Sequence, residues 1–412
     1  MPRMLENQVV SNVAVPLSLI RTPYAFQGVV MDDCMFGNLH IRNGRISGMS
    51  RPTANATVSG IVIPRLTESH LHLDKCFTIS RVTSKVDSFA AALAAQWNDK
   101  VNWTTSDVQI RADKAVQELV LNGCGVARTH VDWTHGDAAE QAPFTWAVIN
   151  EIAQTYKHNI DLQLCALVST NDMVDYDLAK TIAAQIAKTR GALGVFVLDH
   201  ENRIPAIENA FRVADEFGLS LDFHVDEGLH LGLDGLDIIA QTALNMGYQG
   251  PVLCGHACSL MNYKGEPLER LLDKLAQTSI VIAALPTTNL YLQGRNGGTP
   301  DRRGITRVHE LITAGVSVIC GTDNVADAFY PIGKFDPLLT LTHMVSATHL
   351  TPPFGRYLPM ITTKAQEALG KEVIYLDNAC SDQLNYYPAN GLYELFPPSQ
   401  RHMLLSELVK AA

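Results

Sequence analysis

From Ile61 onward the chain alternates short apolar runs with longer segments whose apolar residues recur at three- and four-residue steps. The runs at 61–65, 126–131, 161–167, 194–199, 219–224, 251–255, 279–285 and 316–321 read as strands. Ser106 to Leu121 and Leu178 to Thr189 read as amphipathic helices between them. Alternating β and α units imply a parallel sheet, which is either an open doubly wound sheet or a closed (β/α)8 TIM-type barrel. The first sixty residues have another texture. Val9 to Ile20, Gly28 to Met31 and Leu39 to Ile46 are short β-prone pieces punctuated by Pro16, Pro23, Asn43 and Gly44, as in a small antiparallel sheet. The expected organisation is therefore residues 1–60 as part of an outer β-sandwich-like domain, 61–370 as the barrel, and 371–412 returning to the β domain and ending in a helix near Met403 to Lys410.

The strand ends carry the chemistry and choose between the two folds. His70 and His72 close the first run one residue apart, so an extended chain would aim both at one point. Two histidines on a solvated surface strand would look the same. Three later runs, however, also end in ligand-type residues: His224, His256 and Asp323. In a barrel all strand C-termini meet at one mouth, whereas an open sheet would spread these residues apart. The barrel is the expectation. Three neutral imidazoles and a carboxylate suit one Zn2+ or Fe2+ per chain, with His70, His72, His224 and Asp323 as ligands and a further position open to water. Glu227, three residues after His224, either reaches a substrate ring or is a solvated loop carboxylate. His256 is either a further ligand or a histidine packed at the mouth.

Composition narrows the partners. A net charge of −10 argues against a phosphate-backbone partner, which demands clustered Lys and Arg, so nucleic acid is not expected. No apolar run approaches membrane-spanning length. The eight cysteines, at 34, 76, 124, 165, 254, 258, 320 and 380, include several in apolar runs, which suits reduced thiols and a cytoplasmic location. The partner expected is a small molecule, bound by a homo-oligomer.

The set His70-x-His72, Arg128-Thr-His-Val-Asp132, His224-x-x-Glu227, His256 and Asp323 resembles the amidohydrolase superfamily and, within it, bacterial cytosine deaminase. Leu292-Gln-Gly-Arg295, Arg302 to Val308 and Tyr330-Pro-Ile-Gly333 extend the likeness, which covers roughly 60–345. The resemblance implies metal-dependent hydrolytic deamination of an aminated N-heterocycle. Hydroxide on the metal, oriented by His256 and giving its proton to Asp323, would attack the carbon that bears the amine. Glu227 would protonate the adjacent ring nitrogen, and ammonia would leave.

Three substrate-side positions depart from the cytosine deaminase pattern: Ser169 stands where a glutamine reads the pyrimidine edge, Asn324 replaces a carboxylate, and Phe329 replaces a tryptophan. A hydrogen-bonding pocket discriminates by polar complementarity, so these changes imply a ring bulkier or richer in carbonyls than cytosine. A triazine-type aminohydrolase with the same Asp-Asn pair is the alternative, followed by a catalytically silent barrel. Strand four offers no lysine to bridge two metals. The absence of Cys-x-x-Cys excludes the small zinc deaminases.

Overall fold

The computed structural model describes residues 7–133, 141–377, 379–397 and 401–411. Its first strands are β1 (Gln8–Pro16), β2 (Val29–Met31), β3 (Cys34–Arg42) and β4 (Arg45–Ser50). β3 and β4 form a hairpin across Asn43 and Gly44, whose φ values of 52° and 75° suit the two-residue turn that asparagine and glycine favour. β5 (Gly60–Pro64) then pairs parallel with β1. Near the other end of the chain, β14 (Leu384–Tyr387) pairs antiparallel with β5, and β15 (Met403–Leu404) pairs with β14. The expected sandwich-like layering is thus realised as one mixed seven-stranded sheet, ordered β15-β14-β5-β1-β3-β2 with β4 on β3.

The second sheet is the barrel, and its strands are all parallel. They are β6 (Leu66–Leu71), β7 (Cys124–Asp132), β8 (Asp161–Ser169), β9 (Ala192–Val197), β10 (Leu221–Val225), β11 (Val252–His256), β12 (Ile280–Ala284) and β13 (Ser317–Cys320), each paired with the next. A bridge between Leu71 and Asp323 closes β6 against the segment after β13. The first four α-helices are α1 (Phe89–Asp99), α2 (Thr105–Leu121), α3 (Phe144–Tyr156) and the single turn α4 (Thr170–Val174). No described helix is long and apolar enough to cross a membrane.

Seven of the eight barrel strands fall where the apolar runs place them; the first does not. The run at 61–65 lies in the outer sheet as β5, and the barrel starts one step later at β6. The cause is chemical. β6 is buried along its whole length yet reads Leu66-Thr-Glu-Ser-His-Leu71, because its side chains support a polar site instead of an oily core. A search for apolar runs passes over it. Only Arg65 separates the two strands, so the outer sheet and the barrel share one almost unbroken extended segment.

The β5–β14 seam has little room to adjust. A methyl group on Gly60 would lie 2.2 Å from the Tyr386 ring, whose hydroxyl donates to the Ser59 carbonyl at 2.6 Å. Gly60→Ala should lower stability by about 1–3 kcal/mol, the usual cost of overpacking, and circular dichroism melting should register a lower Tm. An unchanged Tm would show that the seam yields freely.

Candidate active site

At the barrel mouth, strand β6 and the residue after it deliver His70 and His72, β10 delivers His224, and the turn after β13 delivers Asp323. The Nε2 atoms of His70 and His224 are 3.1 Å apart and those of His72 and His224 are 3.3 Å apart. Asp323 Oδ1 lies 3.2 Å from His72 Nε2 and 3.7 Å from His70 Nε2. All four residues are buried. A neutral imidazole carries one N–H, so three ring nitrogens turned on one another cannot all be satisfied by hydrogen bonds. Both Asp323 carboxylate oxygens also lack a hydrogen-bond partner among the described residues. Unpaired buried acceptors of this kind cost about 1–3 kcal/mol each, and a cation at their focus removes the cost. Burial, reinforced by the neighbouring histidines, holds His70 and His224 well below the ordinary histidine range, and burial together with Lys75 does the same for His72. Neutral imidazole is the form that binds metal. The donor set therefore fits a divalent ion of the Zn2+ or Fe2+ type.

The backbone holds these donors under tension. Asp323 has φ 66° and donates its N–H to the His70 carbonyl at 2.7 Å, which is the contact that closes the barrel. Glu68, buried beneath, accepts from the backbone N–H of His70 at 3.1 Å and of Thr322 at 2.9 Å, and also from the Thr322 hydroxyl. One carboxylate thus ties together the residues flanking the two strand ends. Burial pushes its pKa up to about 7.

His130 also belongs to the cluster, its ring centroid 4.0 Å from that of His70 and 4.6 Å from that of His224. Its Nε2 is 3.2 Å from Asp222, which Arg128 pairs at 2.9 Å. His130 stood inside the Arg128 to Asp132 motif, and its position on a strand facing the other histidines was the signal for a place in the site.

His256, at the end of β11, stands beside the donor set. Asn289 Nδ2 lies 3.0 Å from its Nδ1; with that amide donating, the ring proton sits on Nε2, which is 3.5 Å from Glu227 Oε2. Burial lowers the His256 pKa to about 4. Burial, and after it the Asp323 charge, raises Glu227 well above the usual carboxylate range, which favours its protonated form. Both residues face a cavity that His72, His224 and Asp323 also line.

The three substrate-side positions divide. Asn324 and Phe329 line the cavity, although the Asn324 amide is already donated to Asp327 at 2.7 Å. Ser169 does not line it. The chain turns into α4 there, and the hydroxyl caps that turn, accepting from the Asp172 N–H at 3.1 Å and donating to its carboxylate at 2.7 Å. Leu167, two residues earlier on the same strand face, lines the cavity in its place. The remaining wall went unforeseen: Phe89, Leu93, Gln96 and Trp97 come from α1, with Lys100 just beyond it. Their spacing of three and four residues marks one helix face.

A sequence profile of the Amidohydrolase family matches residues 133–376, more than half of the chain. The chain belongs to the amidohydrolase family. It is a hydrolase of carbon–nitrogen bonds. It is 31% identical over 372 residues to the pterin deaminase of Rhizobium rhizogenes (strain K84 / ATCC BAA-868), covering 88% of this chain and 84% of that protein. It is 23% identical over 326 residues to N-isopropylammelide isopropyl amidohydrolase of Pseudomonas sp. (strain ADP), covering 76% of each. The crystal structure of 5-methylcytosine deaminase from Klebsiella pneumoniae superposes with a TM-score of 0.78 at 22% identity, covering 96% of this chain and 95% of that one. It shares the amidohydrolase fold, with a barrel and an outer sheet.

Two glycines make room for the His70 ring. A Cβ on Gly255 would lie 2.9 Å from His70 Cε1, and one on Gly321 would lie 2.8 Å from His70 Cβ. Gly255→Ala should displace the ring, and the purified protein should hold at least tenfold less divalent metal by elemental analysis. Metal content equal to wild type would show that the His70 position is not critical.

Proposed function

We propose that this amidohydrolase is a divalent-metal-dependent hydrolytic deaminase of an aminated N-heterocycle larger than cytosine, of the pterin kind. The observation that carries the proposal is that a buried carboxyl, Glu227, lines one cavity together with His72, His224 and Asp323, whose ligand atoms cluster with that of His70 as a metal-type donor set. Replacing a ring amine by water needs both. The amine leaves only after the ring nitrogen beside it gains a proton, and the water attacks only after losing one.

When bound by those four residues, a Zn2+ or Fe2+ ion supplies Lewis-acid chemistry that makes water nucleophilic near neutral pH. Glu227 holds the proton for the ring nitrogen and delivers it as the water oxygen bonds to the carbon. Asp323, whose carboxylate is otherwise unpaired, takes the water proton and passes it to the departing amine. His256 keeps its Nε2 proton and orients the water through it. The carbon–nitrogen bond breaks, the hydroxyl proton returns to Glu227 as the carbonyl forms, and ammonia is released. Leu167, Phe196 and Phe329 keep bulk water from the reacting face.

Substrate size rests on three supports. The strand-three wall is an apolar Leu167 and the aromatic wall is a phenylalanine. The Rhizobium relative bears the name of a pterin deaminase. Leu93 and Trp97, 41% and 59% exposed, extend the apolar wall to the mouth, where a second fused ring would meet them.

Ammonia release from aminated pyrimidines, purines, pterins and triazines tests the reaction and the ring together. A bicyclic 2-amino ring should exceed cytosine in kcat/KM, and the reverse order would remove the size argument. Glu227→Gln should retain the metal and lose roughly a hundredfold or more in kcat, the scale of a positioned acid. His70→Ala should lose metal and turnover together. Glu227→Gln protein that had lost its metal would make Glu227 a ligand, and full metal in His70→Ala would remove His70 from the set.

A further inference from the structure

The sequence stretch that carries His70 and His72 continues to Asp74 and Lys75, and the reaction above uses neither. Lys75 is only 4% exposed, yet it lines the cavity. Its Nζ is 2.9 Å from Asp132 Oδ1. The other oxygen of that carboxylate, Oδ2, accepts from Gln96 Nε2 at 2.7 Å and pairs with Lys100 at 3.0 Å. Asp132 is itself fixed, because its backbone N–H donates to Asp74 at 2.9 Å.

This arrangement determines which atoms of the two side chains are left without a partner. A carboxylate only accepts, so the Gln96 amide must turn its NH2 toward Asp132 and its carbonyl away. Gln96 Oε1 is then a buried acceptor, and it has no hydrogen-bond partner among the described residues. Lys75 is an ammonium with three donors, one of which is used on Asp132. The two oxygens of one carboxylate therefore hold, side by side, a spare cationic donor and a spare neutral acceptor. Both belong to residues that line the cavity, in a protein where the strand-three residue facing it is an apolar leucine.

We propose that Lys75 and Gln96, held on the Asp132 carboxylate, read a lactam edge of the substrate ring, Gln96 Oε1 accepting from the ring N–H and Lys75 donating to the adjacent ring carbonyl. The proposal rests on the deaminase reading above and specifies its substrate class: an amino-heterocycle carrying an oxo group beside a protonated ring nitrogen. Lys75 is buried against the Phe329 ring, 5.7 Å from its centroid, which leaves its ammonium at the inner end of the cavity, away from the exposed Trp97 and Leu93. Lys75 and Gln96 act as specificity residues, with no role in proton transfer.

The test compares 2-amino-4-oxopteridine, its 4-deoxo analogue 2-aminopteridine, and its N3-methyl derivative on the metal-loaded enzyme. Wild type should prefer the 4-oxo, N3–H ring. A site built to hydrogen-bond a group discriminates strongly against rings that lack it. Lys75→Met should cut the 4-oxo over 4-deoxo preference in kcat/KM at least tenfold, mainly through KM, and Gln96→Leu should cut the N3–H over N3-methyl preference at least tenfold. Gln96→Leu leaves both lysine–Asp132 pairs in place, so it decides the matter if Lys75→Met does not fold. Equal losses on all rings in a folded variant, or a wild type indifferent to both changes, would overturn the proposal. If metal-loaded wild type released ammonia from none of them and from none of the pyrimidines, purines and triazines, the deaminase reading would fail. Calorimetric binding of the same three rings would then test the lactam pair alone, with the same preference expected and its absence decisive against the pair.

Discussion

Three imidazole nitrogens and a carboxylate, with neighbours 3.1–3.7 Å apart in a buried site, are a liability in any chain that has nothing to put between them. The desolvation cost falls on groups that cannot satisfy one another, and the surrounding structure must hold them there against it. Much of the unusual local structure in this chain answers that demand. β6 is polar and fully buried, Glu68 gathers three donors from the flanks of two strands, and Asp323 and His256 occupy left-handed backbone conformations at φ 66° and 70°. Left-handed backbone at a non-glycine residue costs of order 1–3 kcal/mol, and it persists only where neighbours over-determine it.

The closure of the barrel and the assembly of the site are accordingly one event. The hydrogen bond from Asp323 to the His70 carbonyl is at once the last rung between the two ends of the sheet and the contact that places a carboxylate beside two histidines. A barrel that failed to close would carry its donors on separate edges. The donor set in turn rewards closure whenever a cation fills it, because ligand binding to the folded state alone stabilises that state.

How much of this was legible in the sequence follows from which positions obey a period. Strands β7 to β13 are buried on both faces and read as apolar runs, and the histidines at their ends marked the mouth. β6 escaped because its interior side chains are Glu68, Ser69 and His70, so the polarity that makes the site hid the strand that makes it. The pocket's specificity wall was less visible. Ser169 looked like a reading residue while the strand was imagined to continue, but a serine followed three residues later by aspartate is also a helix-capping signal, and the chain used it as one. Gln96 and Lys75 act through a carboxylate on a different element, and the juxtaposition of α1, the loop after β6 and the end of β7 is a tertiary fact that no local pattern encodes.

The result is a division of labour between rigid and adjustable parts. Groups that would hold the ion sit on barrel strands or within one turn of them, where sheet hydrogen bonding limits their drift. Groups that would meet the remote parts of a substrate sit on α1 and in the turns, where replacing Leu93 or Trp97 alters a surface that is already half open. Asp132 is the hinge between the two sets, since it ends a barrel strand, and its carboxylate fixes Gln96 and Lys100 from the helix side and Lys75 from the strand side. A change of substrate ring can therefore be made on α1 without disturbing the donor set. A change at Asp132 cannot, because it would leave the buried Lys75 ammonium without its counter-charge beside a site that already has to hold a divalent ion, and like charges at that depth repel strongly enough to disfavour the metal.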